Sequence, residues 1–164
     1  MLQENVEIAK RVIDAFNRGD MDEVFALLDP NVRWTTADDE PDPQTYCGHE
    51  GVRQLFASLL DIWEQGFTVK AHEFIDLGDV VVVPFTSHVQ ARGSGVALNA
   101  EETHVFTVHD GKIVRVREYR TKDAALQAEV GEGAVAVEVR DQPDDLPIAD
   151  VEEGRCGHPH LAYL

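Results

Sequence analysis

The sequence predicts an α+β fold with its helices first and its strands after them. Two observations carry this. Before Gly66 the apolar residues recur at helical spacing, and after it they alternate. The alternating part is cut by the turn signals Gly78-Asp79, Gly93-Ser94-Gly95 and Asp110-Gly111.

The elements follow in order. Asn5 is placed to cap a first helix with Val6, Ala9, Ile13 and Phe16 on one stripe, and Gly19 ends it. Asp20 starts a second, short helix, with Glu23 completing a capping box. Val24, Leu27 and Leu28 form its apolar face, and Asp29-Pro30 stops it. Val32 to Trp34 reads as a short strand. The acidic stretch from Thr36 to Gly48, with Pro41 and Pro43, reads as a loop. In the third helix Val52, Leu55, Phe56, Leu59, Leu60 and Trp63 make one continuous apolar face, and Gly66 is its stop.

Phe67 to Leu77, Val80 to Arg92, Leu98 to His109 and Ile113 to Arg120 then read as a four-strand antiparallel meander. Thr121 caps a last helical segment, Lys122 to Ala128. Residues 1–130 form the domain. Residues 131–164 are an acidic C-terminal extension with one candidate added strand, Ala134 to Val139.

Composition narrows the function. The chain has 164 residues, 43% of them apolar, and a formal net charge of −17. Such a charge repels phosphate backbones and anionic lipid, so neither nucleic acid nor a membrane surface is an expected partner. No apolar run approaches the roughly 18 residues of a membrane span, and Met1 to Arg11 has no signal-peptide core. Two cysteines are too few for a disulfide scaffold. The expectation is a cytoplasmic protein with two free thiols. The chain has no Gly-rich phosphate loop and no Cys-x-x-Cys-His, so no nucleotide, flavin or haem cofactor is expected.

Alternation assigns the inward face. Val81, Val83, Phe85, Ser87 and Val89 lie on one face, and Thr86, His88, Gln90 and Arg92 on the other. Phe106 and Val108 share their face with His104 and Glu102. Val114 and Val116 share theirs with Glu118 and Arg120. A two-residue turn at Asp110-Gly111 would set His104 against Arg117 and mix the faces. A three-residue loop with a Gly bulge keeps the apolar sets together, with His104 near Val116 and Glu102 near Glu118. Glu102, His104, Glu118 and Arg120 then share a face lined by Phe and Val. Burying such groups without partners costs several kcal/mol each, so they must pair, meet water or face a cavity.

Several strings together resemble a known family: Glu4 to Glu7 with Ala15 to Asp20, Leu27 to Trp34, Gly48 to Val52, and Asp110 to Tyr119 with Ala124 to Leu126. They resemble the SnoaL-like branch of the nuclear-transport-factor-2-like (NTF2-like), or ketosteroid-isomerase-like, superfamily over residues 3 to about 130. The resemblance implies a cone: three helices packed on a strongly curved antiparallel sheet enclosing a deep pocket, commonly in a homodimer. It implies cofactor-independent chemistry of the cyclase or isomerase type on an apolar carbonyl or polyketide-like substrate. The alternative is a non-catalytic domain that binds an apolar ligand.

The ketosteroid-isomerase residues do not carry over. Val12 stands at the helix Tyr, Trp34 at the base Asp, and His104 falls near the oxyanion-hole Asp. Nor does the epoxide-hydrolase Arg-x-Asp, where Phe85-Thr86-Ser87 stands. His104 and Glu118 resemble the polyketide-cyclase pair of a His and an acid about fourteen residues later, with Glu in place of Asp. They are the catalytic candidates. Trp34, Tyr46, Phe85, Ser87, Glu102, Phe106 and Arg120 are the substrate-binding candidates.

A carboxylate beside His104 would raise the pKa of the ring, and apolar walls would raise that of Glu118, moving both toward neutrality. The competing reading is a structural network in which the four charged groups satisfy one another. Cys47-Gly48-His49 and Cys156-Gly157-His158 lack the spacing of a zinc module, so no metal is expected. Asp38 to Asp42 reads as a solvated rim.

Overall fold

The computed structural model describes residues 2–37, 43–62 and 67–130. The elements are α1 (Leu2–Arg18), α2 (Met21–Leu27), β1 (Leu28–Thr35), β2 (Thr45–Cys47), α3 (Gly48–Ile62), β3 (Thr68–Ala71), β4 (Ile75–Asp76), β5 (Val80–Gln90), β6 (Ala97–His109) and β7 (Lys112–Tyr119). A further helix, α4, covers residues 122–130. Trp63, Gly66, the Asp38 to Asp42 loop and the whole extension 131–164 lie outside the described residues.

The sheet runs β2-β1-β7-β6-β5-β3, with β4 also paired to β5. It is α+β and strongly curved, as expected. It is mixed rather than purely antiparallel, because β1 lies parallel to β7. The meander accounts for β3 to β7, and β2 pairs antiparallel with β1. α1, α2 and α3 cover one face through Ala9, Val12, Ala15, Val24, Leu27, Val52 and Leu55, packed on Val81, Val83, Phe106, Val108, Ile113 and Val116. α4 covers part of the other, where Ala125 and Leu126 meet Val82 and Val105.

The local signals explain most boundaries. Gly19 adopts φ +73 and closes α1, its N–H donating to the Phe16 carbonyl at 3.0 Å. Asp20 caps α2 by accepting from the Glu23 N–H at 3.1 Å. The return half of that capping box is replaced by an ion pair: Glu23 meets Arg11 of α1 at 2.6 Å. Thr121 caps α4, accepting from the Ala124 N–H at 3.1 Å.

Several expectations are corrected. Asn5 does not cap α1, which begins earlier; its amide donates to the Gly78 carbonyl at 3.0 Å and ties the helix to the β4–β5 turn. β1 starts at Leu28 and so runs through Pro30. Pro30 falls in the register break between Leu28 and Arg33, where its missing N–H costs no ladder bond. Part of the expected loop is β2, which pairs with β1 at Arg33, Trp34 and Thr35. The expected strand from Phe67 to Leu77 is broken into β3 and β4. The break falls opposite Pro84, which has no N–H to donate, while the His72 N–H reaches the Pro84 carbonyl at 2.9 Å. Leu60 is 60% exposed, so the apolar face of α3 does not extend to it.

The register of the last hairpin is also corrected. The turn has two residues, with Asp110 at φ 49 and Gly111 at φ 75 and His109 opposite Lys112. Positive φ at both centres gives the tight turn that matches strand twist. The bulge sits inside the ladder instead, between the Val108–Ile113 and Thr107–Arg115 pairs. Val114 is the extra residue, so Ile113 takes its place in the core. Val114 leaves the inward face where it was expected, and from Arg115 onward the faces come out as expected. The pairing moves by two residues, which sets His104 directly opposite Glu118.

Candidate functional site

Four strands bring the site together. On β5 and β6, Val83 lies opposite His104 and Phe85 opposite Glu102. On β6 and β7, His104 lies opposite Glu118. Opposed residues point to the same face, so His104, Glu102, Glu118 and Phe85 cluster on the helix-covered side. β1 adds Trp34, which is level with Val116 and therefore within reach of Glu118, two residues along.

His104 is the centre of the cluster. The edge-on rings of Phe85 at 4.5 Å, Trp34 at 5.7 Å and Phe106 at 6.1 Å surround it. Its Nε2 lies 3.8 Å from Glu118 Oε1 and 3.9 Å from Glu102 Oε2. Both distances exceed a hydrogen bond, and Nε2 is buried with no hydrogen-bond partner. Leaving such a group unsatisfied costs about 1–3 kcal/mol, which a ligand group bonded there would recover.

The expected drift of His104 toward neutrality is corrected. Burial pushes its pKa from 6.5 down to about 3. A charged ring would lose its hydration, and neither carboxylate is near enough to replace that with a hydrogen bond. His104 is therefore a neutral imidazole near pH 7.

The Trp34 indole N–H donates to Glu118 Oε1 at 2.6 Å, through the same oxygen that faces His104. Trp34 is thus more than an aromatic wall. Phe56 of α3 packs edge-on to Trp34 at 5.5 Å and joins the site; in the sequence it read only as part of a core stripe.

The other candidates divide. Phe85 and Phe106 are buried against His104. Tyr46 pairs with Trp34 across β1 and β2 and packs on the core. Ser87 is buried on the same face, but its hydroxyl donates to the Ala100 carbonyl at 3.3 Å. Arg120 follows the last residue of β7 and is exposed, so it stands at the rim of the cluster and not within it.

His49 has a structural role: its Nε2 donates to the Leu28 carbonyl at 2.9 Å, and Phe25 packs edge-on at 5.2 Å. Among the described residues no group of three or more His, Cys, Asp or Glu side chains could hold a metal. The expectation of two free thiols is corrected, because Cys47 is disulfide-bonded. Sequence distance alone does not show which cysteines a fold brings within bonding reach. Cys156 and His158 lie outside the described residues. Among the described residues no helix is long and apolar enough to cross a membrane.

Helices packed on a strongly curved mixed sheet are the fold that this chain shares with solved NTF2-like proteins. A protein of that class from Burkholderia pseudomallei, of unknown function, aligns with a TM-score of 0.64 at 25% identity, over 76% of this chain and 95% of its own. One from Burkholderia thailandensis aligns with a TM-score of 0.63 at 28% identity, over 76% and 96%. A Mesorhizobium loti protein, a candidate SnoaL-like polyketide cyclase, aligns with a TM-score of 0.55 at 24% identity, over 70% and 97%. Within this class the chain belongs to the SnoaL-like family, whose domain matches residues 9–116. No curated protein matches it.

Proposed function

We propose that the protein is a cofactor-independent enzyme that moves a proton on an apolar carbonyl or polyketide-like small molecule. One observation carries the reading: His104 Nε2 is buried, unpartnered and flanked by two carboxylates inside aromatic walls. A buried polar atom without a partner calls for an explanation, and a polar group of a bound small molecule would supply the missing bond. A neutral imidazole can polarise a carbonyl oxygen through an N–H, as known isomerases do. Glu118 then accepts the proton from the carbon next to that carbonyl and returns it at another position, so the protein ends unchanged. Phe85, Phe106 and Trp34 hold the apolar body of the substrate. Glu102 and Arg120 orient its outer end. The Mesorhizobium neighbour is consistent with this class of chemistry, although its likeness shows the fold alone.

A second reading, a non-catalytic domain that binds an apolar ligand, draws on the weak basicity of His104 at a pKa of about 3. Exchange of the α-protons of a panel of apolar aromatic ketones in deuterated buffer separates the two. Catalysis predicts exchange by the native protein, lost in folded His104→Ala and Glu118→Gln. Ketone binding without exchange would leave the binding reading standing and end the catalytic one.

A further inference from the structure

We propose that Trp34 is a positioning residue, whose indole N–H aims the carboxylate of Glu118 at the atom beside His104. The inference deepens the catalytic reading above and rests on it for its kinetic consequence. The geometry stands by itself. β1 and β7 run parallel, with Trp34 level with Val116. The indole therefore leans one side-chain step along β7 and meets Glu118 Oε1 at 2.6 Å. That oxygen is the one 3.8 Å from His104 Nε2. The ring cannot swing away, because Phe56 closes one side at 5.5 Å and His104 another at 5.7 Å, both edge-on. Trp34 is only 8% exposed, so water competes poorly for its N–H.

A glutamate has more rotatable bonds than an aspartate. At 3.8 Å the carboxylate makes no hydrogen bond to the His104 ring that could fix it. Each of those rotatable bonds has several staggered wells. Trp34 supplies a short, charge-assisted bond that selects one. Misplacing a reacting group by about 1 Å costs on the order of a hundredfold in rate, so a device that holds this oxygen has a kinetic consequence.

The test has one arm that needs no activity and one that does. The chain has two tryptophans, so its spectrum holds two indole N–H resonances. Trp34→Phe identifies one of them by its loss. In the native protein that resonance is expected far downfield, and in Glu118→Gln it is expected to move upfield as a charged acceptor becomes a neutral one. An unchanged position in Glu118→Gln would overturn the proposal, whatever the protein catalyses. The second arm replaces Trp34 with benzothienylalanine, which keeps the ring shape and removes only the N–H. With an aromatic ketone that the native protein exchanges, kcat is expected to fall at least about tenfold, with KM within about twofold. Native kcat in that variant would overturn the proposal. If no ketone is exchanged, the catalytic reading fails and the spectrum still decides the role of Trp34.

Discussion

Replacing His104 by Gln should flatten the acid limb of stability. The folded ring is 15% exposed and carries a pKa near 3, against 6.5 for an ordinary imidazole. Between these values the unfolded chain binds a proton that the folded chain refuses. Stability therefore rises with pH across that window and is lost as pH falls below 6.5. Going from about pH 7 to about pH 4, this one group should cost the native protein about 3 kcal/mol. Glutamine does not titrate there, so His104→Gln should lose less over the same interval by roughly that amount. The absolute stabilities of the two proteins need not agree, because only their pH dependences are compared. Urea unfolding at both pH values gives the comparison. Equal losses in the two proteins would refute the reasoning, because His104 would then titrate alike folded and unfolded.

Three further changes test the frame that holds the site. Gly111→Val places a branched side chain at φ 75 with no atom within 4 Å of the new Cβ, so its penalty is purely conformational. It should cost about 1–2 kcal/mol by denaturant unfolding, and no loss would contradict the assigned turn. Asp20→Ala removes the cap of α2 and should cost about 1 kcal/mol; a neutral effect would mean the bond at 3.1 Å contributes nothing. Ile113→Ala empties a fully buried position and should cost about 2–5 kcal/mol, whereas Val114→Ala, at the bulge and only half-buried, should cost clearly less. The reverse order would restore the register without a bulge in β7.

The site was legible where the period of two was clean. Phe85, Glu102, His104 and Glu118 fall on one face by alternation alone, and the structure keeps them there. Their exact opposition was not legible, because a bulge in the loop and a bulge in the strand give the same faces with pairings two residues apart. β2 and the parallel β1–β7 pair were hidden for another reason. Three-residue strands carry almost no pattern, and parallel pairing is a long-range contact that no local signal marks. Proline misled in one place and explained in another. Pro30 read as a stop but lies in a register break, whereas Pro84, inside a strong apolar run, interrupts the neighbouring strand. The Trp34–Glu118 bond joins residues 84 positions apart and follows only from the tertiary fold. The protonation of His104 depends on burial in the same way. Sequence shows that a carboxylate is near, but not that it stays beyond hydrogen-bond distance.

The most direct measurement is the ¹⁵N spectrum of the His104 imidazole near neutral pH, first alone and then with an apolar aromatic ketone that the protein binds. The account predicts a neutral ring in the free protein and a saturable movement of its Nε2 resonance as the ketone is added. A charged ring in the free protein, or an Nε2 resonance that a bound ketone leaves unmoved, would contradict it.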